Sequence, residues 1–164
     1  MRGTGVMKAI VVDIDGTIAD DSKRFELAKN DNYDEKEDNS RTDYTGINWD
    51  KYFDEILMFK DKPNIVLKEK IVQYNNNGNK IVYLTGRMGK HRNVTEAWLD
   101  KHNFPKGLLV MRDNGNYEHA YDYKTKKLKN IVQMYDVVHA YGDRDDDIQA
   151  YKDFKIPCTL IKFE

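Results

Sequence analysis

The sequence predicts an α/β fold built around a parallel sheet, and two observations predict it. The first is Ala9-Ile10-Val11-Val12, a near-continuous apolar run that reads as a strand buried on both faces and runs into Asp13-Ile14-Asp15-Gly16-Thr17. The second is the alternation of short apolar runs with segments of helical periodicity along the rest of the chain, which implies right-handed βαβ units. Such sheets bind ligands at the carboxyl ends of their strands, where this chain puts two carboxylates and a Gly turn. Two acids one residue apart cannot both hang from one strand face, and charge at a dry strand end calls for a cation or a reaction. The run D-x-D-G also opens calcium loops, but those need Glu at the twelfth position, where this sequence has Arg24. For the four residues alone, a surface turn is the remaining reading.

The elements follow in order. After the first strand, Asp20 to Gly46 is charged and poor in apolar residues, which predicts a mobile, loop-like insertion. Trp49, Tyr52, Phe53, Ile56 and Leu57 then recur at helical spacing and predict one helix with an aromatic face, packed beside the acidic strand end. Asp61-Lys62-Pro63-Asn64 is a start signal with Pro in the first turn, for a helix running to about Asn77 with Gly78 just beyond its end. Lys80–Leu84 is the second strand. A helix over about 91–102 turns Val94, Ala97 and Trp98 inward, and Pro105 and Gly107 separate it from the third strand, Leu108–Met111. Residues 123–135 form the next helix, with Leu128, Ile131 and Val132 on its buried side. Val137–Tyr141, a short helix over Arg144–Asp153 and Cys158–Ile161 complete the alternation.

A chain of 164 residues, 40% hydrophobic and 34% charged, is long enough for one domain with a real core. No apolar stretch approaches the roughly 20 residues of a membrane span, and no secretory signal opens the chain. The single Cys158 can make no internal disulfide, which fits a reducing, cytoplasmic setting. The net charge of -1 conceals a partition: residues 20–61 carry thirteen acidic against seven basic side chains, and residues 62–134 fourteen basic against six acidic. The basic segment suits a phosphate site, with scattered solvated lysines as the alternative. Neither phosphate-loop pattern is present, since Gly3-Thr4-Gly5 precedes the first strand instead of following it. His91, His102, His119 and His139 are isolated and read as packing or surface residues, not zinc ligands.

Four segments together carry a family likeness. Asp13-Ile14-Asp15-Gly16-Thr17, Leu84-Thr85-Gly86-Arg87, Lys126 in a basic helix, and Gly142-Asp143-Arg144-Asp145-Asp146-Asp147 occur in the order of the motifs of the haloacid-dehalogenase (HAD) superfamily of Asp-dependent phosphohydrolases. The chain resembles that superfamily from about Lys8 to Thr159. The resemblance implies a three-layer Rossmannoid fold with strand order 3-2-1-4-5, a single domain over 1–164, and a small helical insertion or cap at 20–62. It implies a Mg²⁺-dependent phosphomonoesterase working through an aspartyl-phosphate. Asp13 would be the nucleophile, Asp15 the acid/base, Thr85 a holder of the phosphoryl oxygen, and Lys126 the neutralising cation, with Lys124 the runner-up. Asp13, the backbone carbonyl of Asp15, Asp143 and Asp147 would surround the metal.

Within the superfamily the chain is more similar to the 3′-phosphatase half of phage-type polynucleotide kinase-phosphatases. Arg24, eleven residues after Asp13, the Gly86-Arg87 step, and Met111-Arg112 followed by Gly115, Asp122 and Lys126 carry that likeness. They imply that Arg24, Gly86, Arg87, Arg112 and Asp122 bind a 3′-phosphorylated DNA or RNA end in nucleic acid repair, with a kinase domain outside this chain and no membrane partner. Two features depart from that pattern. The fourth motif reads GDxxxD in place of a paired Asp-Asp-Arg, and the insertion from Asp20 to Pro63 is long enough to select another substrate. A phosphatase for nucleotides or other small metabolites is therefore the alternative.

Overall fold

The computed structural model describes residues 6–37 and 44–163. Five parallel strands, β1 (Lys8–Val12), β4 (Lys80–Met88), β5 (Leu108–Arg112), β6 (Asp136–Gly142) and β7 (Cys158–Leu160), form the sheet, while β2 (Ala19–Asp20) pairs antiparallel with β3 (Lys62–Pro63) outside it. The sheet order is β5-β4-β1-β6-β7, which counts the five sheet strands as 3-2-1-4-5, as expected. Every residue of β1 except Lys8 is buried. Ile10 and Val12 pack with Leu67, Ile71 and Trp98, from the helices α4 (Ile65–Asn76) and α5 (Arg92–Lys101). Ala9 and Val11 pack with Leu128, Ile131, Ala150 and Tyr151 of α6 (Ala120–Met134) and α7 (Asp145–Asp153) on the other face. Helices thus cover both faces of the sheet, which is why β1 is continuously apolar instead of alternating.

Parallel register assembles the strand ends. Val12 lies opposite Tyr83 on β4 and Tyr141 on β6, and the Asp13 amide donates to the Tyr141 carbonyl at 3.0 Å. The carboxyl ends of these strands therefore meet at one edge: Asp13 directly after β1, Gly86 within the last residues of β4 and Asp143 directly after β6.

Several local expectations need correction. The stretch from Asp20 to Gly46 begins with a helix, α1 (Ser22–Ala28), whose buried face is Arg24 and Ala28. Arg24 counted as a polar residue in the sequence, but a tertiary ion pair takes it inside. Residues 38–43 of that stretch lie outside the described residues. The single aromatic helix is two, α2 (Trp49–Tyr52) and α3 (Glu55–Phe59), because Asp54 takes an extended conformation and its side chain accepts from the Leu57 amide as an N-cap. Ile56, expected on the buried face, is exposed. Pro63 sits in β3, and Asn64 is the N-cap of α4. Thr85-Gly86-Arg87 continues β4, not a loop after it. On α5, Thr95 and Leu99 are buried with Trp98 whereas Ala97 is exposed.

Candidate active site

The side chains at the sheet edge converge on a cleft of about 100 Å³ lined by Asp13, Asp15, Gly86, Arg112, Lys124, Asp143 and Asp147, with Phe25, Trp49, Tyr52 and Phe53 opposite. Three carboxylates crowd one point. Asp13, Asp143 and Asp147 each offer an oxygen within 4.8 Å of the others. Their closeness depends on Gly16, whose φ of +77° turns the chain sharply and where a Cβ would lie 2.0 Å from Asp143 Oδ2. The Asp147 carboxylate also accepts from the Arg144 amide at 3.3 Å, which fixes it at the start of α7.

Lys124 reaches into this group of charges. Lys124 Nζ lies 3.2 Å from Asp13 and 2.6 Å from Asp147, and all three side chains are buried. Burial works against the Lys124 ammonium, but the Asp13 and Asp147 charges outweigh it and hold its pKa well above the ordinary value. Asp13 is pushed up by burial, with Asp147 adding to the rise and Lys124 opposing it. Asp143 is pushed up as well, by burial and by the charges of Asp13 and Asp147. Three acids against one lysine form an all-oxygen donor set with excess negative charge. That fits a hard divalent cation such as Mg²⁺ and offers nothing to a soft metal.

Asp15 has a different environment. Arg87 donates to it through Nε at 3.1 Å and Nη2 at 2.7 Å, and Arg24 Nη2 also contacts it. Burial would raise its pKa, but the Arg24 and Arg87 guanidinium groups outweigh burial and hold it well below the usual carboxylate range. Arg24 is further tied to Asp61 by Nε at 3.0 Å and Nη2 at 2.9 Å, to the Tyr52 carbonyl at 2.8 Å, and lies over the Tyr52 ring at 4.4 Å. Burial pushes Asp61 up to about 6 despite its pairing with Arg24. Two arginines and two aspartates therefore make a nearly neutral buried cluster below the cleft.

The residues expected in the site fare differently. Asp13, Asp15, Gly86, Arg112, Asp143 and Asp147 all line the cleft. Lys126 does not: it is 70% exposed and pairs with Glu118 at 2.6 Å, so Lys124 occupies the place beside Asp13. The helical stripe explains this, because Lys124, Leu128 and Ile131 are spaced by four and three on the buried face of α6 while Lys126 is off it. Asp122 is exposed in the first turn of α6, away from the cleft lining. Arg24 and Arg87 are 1% exposed and engaged with carboxylates, so they face Asp15 and not an incoming phosphate. Thr85 is fully buried, and its hydroxyl accepts from the Arg87 amide at 3.1 Å. Arg112 keeps the expected position. It donates to the carbonyls of Gly86 at 3.2 Å and Glu118 at 2.6 Å, lies over Tyr123 at 4.5 Å, and makes no ion pair among the described residues; burial lowers its pKa, with Tyr123 and the Glu118 charge opposing the fall. Trp49, Tyr52 and Phe53 line the cleft at the acidic strand end, where the aromatic segment was expected, whereas Phe25 and Asp61 were missed as site neighbours, since neither carries a local motif.

Comparison with known proteins follows this geometry. A short stretch is shared with much longer relatives: 86 residues are 31% identical to mouse "Membrane-associated phosphatidylinositol transfer protein 3", covering 51% of this chain and 9% of that protein. The chain thus spans under a tenth of the curated relatives it matches. Among solved structures, "Structure of the Pnkp1/Rnl/Hen1 RNA repair complex" superposes with a TM-score of 0.71 at 21% identity, over 99% of this chain and 45% of that one. The class C acid phosphatase from Bacillus anthracis with tungstate bound gives 0.67 at 17%, over 98% and 68%. These likenesses establish a HAD-like fold. A family model described as "PITM 1-3, LNS2 domain" matches residues 55–161, well over half of the sequence, and the chain belongs to that family.

Proposed function

We propose that the protein is a phosphomonoesterase that transfers the phosphoryl group to Asp13. One observation carries this reading: Asp13 sits at the carboxyl end of β1, beside Lys124 and in reach of Asp143 and Asp147, and opens into a cleft. Attack by an Asp13 oxygen on phosphorus forms an aspartyl-phosphate as the ester bond breaks, and water then releases phosphate and restores the carboxylate. Lys124 offsets the charge on Asp13 and the phosphoryl oxygens. Asp13, Asp143 and Asp147 would hold a Mg²⁺ ion, which neutralises phosphoryl charge when bound. The leaving alkoxide needs a proton, and Asp15 is the cleft carboxyl nearest in sequence to the nucleophile. To hold a proton it must loosen its contacts with Arg24 and Arg87, and Asp61 offers Arg24 an alternative partner.

The substrate reading is a 3′-phosphorylated DNA or RNA end. Arg112, a cleft guanidinium that makes no ion pair among the described residues, supports it as an anchor for phosphate oxygens. The fold likeness to an RNA repair complex supports it too. The pairing of Arg24 and Arg87 with Asp15 removes the other two arginines from that argument. The insertion over 20–62 would act as a small cap, and its aromatic wall on the cleft favours the second reading, a small phosphorylated metabolite.

Phosphate release from 3′- and 5′-phosphorylated oligonucleotides, mononucleotides and a lipid phosphate monoester in mixed micelles tests both. The 3′-phosphorylated oligonucleotide should be turned over fastest. Asp13→Asn should abolish release from every substrate, because an amide is no nucleophile, and normal turnover in that variant would overturn the mechanism.

A further inference from the structure

A second chamber of about 220 Å³ adjoins the cleft and shares Trp49, Phe53 and Gly86 with it. Its other walls are Asp50, Met88, Lys90, His91 and Tyr117. Three of the rings form a continuous stack: Trp49 lies against Phe53 at 6.1 Å with planes 25° apart, and Phe53 against His91 at 5.9 Å and 20°. His91 is held in place by Glu55 at 3.2 Å from its Nδ1. Tyr117 closes the other side, 66% exposed and with no ring or hydrogen-bond partner among the described residues. The reacting acids and this aromatic chamber therefore meet across one shared wall, so a group esterified to the phosphate would pass from the cleft into the chamber.

From this juxtaposition we infer that the chamber binds the nucleobase of the leaving group, making it the element that selects nucleoside phosphates over aliphatic phosphate esters. The inference rests on the phosphomonoesterase reading and adds to it the subsite that recognises the base. A lining that includes Trp49, His91 and Tyr117 beside the stacked Phe53 suits an occupant with a flat π-face, which every base has and a sugar or glycerol moiety lacks. Lys90, an exposed residue of the lining, gives a cation for an adjoining backbone phosphate, with Asp50 in the lining and Glu55 behind His91 as the opposing charges. A free nucleotide and a polynucleotide end share the base, and they differ in whether Lys90 has a phosphate to meet.

The test compares kcat/KM for a 3′-phosphorylated oligonucleotide with a base on the terminal sugar, the same oligonucleotide with an abasic terminal sugar, a nucleoside 3′-monophosphate and glycerol phosphate. The base-bearing end should exceed its abasic twin by roughly tenfold or more, the scale of one stacked base. Tyr117→Ala should shrink that ratio through KM, and Tyr117→Phe, which keeps the ring, should restore it. A ratio near one in the unaltered protein, or an equal loss on both ends in Tyr117→Ala, overturns the inference while leaving the phosphatase reading intact. Lys90→Ala should weaken only the oligonucleotides if the source is a polynucleotide end, and a free nucleotide is the source if the monophosphate is favoured with no effect of Lys90.

Should no substrate release phosphate, the phosphatase reading fails, and a binding measurement still decides the inference. The chain has two tryptophans, and Trp98 is buried in the core, so quenching by an added base reports on Trp49. In Asp13→Asn, nucleoside 3′-monophosphate should quench saturably and ribose phosphate should not. Absence of saturable quenching sinks the proposal.

Discussion

At the scale of single residues, the two lysines of α6 give the sharpest contrast. Lys124→Met removes the cation between Asp13 and Asp147 and should lower kcat by roughly 10²–10³, the range for one charge-stabilising donor. Lys126→Met alters an exposed pair with Glu118 and should change turnover by less than about twofold. Steady-state kinetics on the two variants checks this, and a larger loss in Lys126→Met would return that residue to the site. Arg24 makes a second case, of stability. Its removal leaves Asp15 and Asp61 buried with less compensation, so Arg24→Ala should cost about 3–5 kcal/mol in urea unfolding. The acids Asp13, Asp15, Asp143 and Asp147 were legible as a set because each lies directly after a strand or one turn into a helix. Their cations were not, since a Lys or Arg in a helix is read as solvated until its partner is known, and Asp61 is 37 residues from Arg24.

At the scale of elements, the turn after β1 fixes how closely the first and fourth motifs approach. Gly16→Ala puts a Cβ against the Asp143 carboxylate at 2.0 Å and strains a φ of +77°, so Asp143 must swing away from Asp13. The variant should fold with a stability loss of about 1–2 kcal/mol and lose most of its phosphatase activity, read by comparing circular dichroism and turnover. Full activity would mean that Asp143 need not stand next to Asp13. The sheet strands were legible from burial on both faces, and their order came with the motif likeness. The helices before α4 were harder to read. Asp54 breaks the aromatic run because a cap outweighs periodicity over so short a span, and α1 hides its buried face behind Arg24.

At the scale of the whole molecule, the excess of acids at the cleft should couple folding to divalent cations. Burial and neighbouring charge push Asp13 up to about 6 and Asp143 up as well, so the folded protein retains protons that the unfolded chain has lost. Stability without a divalent cation should accordingly fall as pH rises from about 4, through about 6 for Asp13 and further for Asp143, since the folded state then binds more protons than the unfolded one. A cation that binds the ionised cluster reverses this loss. At 100 times its Kd, Mg²⁺ adds about 2.7 kcal/mol, and a chain of this length gains roughly 2–4 °C in Tm per kcal/mol. Thermal unfolding at pH 7.5 should therefore shift upward by about 5–10 °C with saturating Mg²⁺, and by less at pH 5, where protons compete for the same oxygens. Asp143→Asn should remove most of the shift while raising Tm in chelator, because one buried charge is gone from the repelling set. A Tm independent of Mg²⁺ at both pH values would mean that Lys124 alone balances the three acids, and the cluster would then be a structural ion network instead of a metal centre.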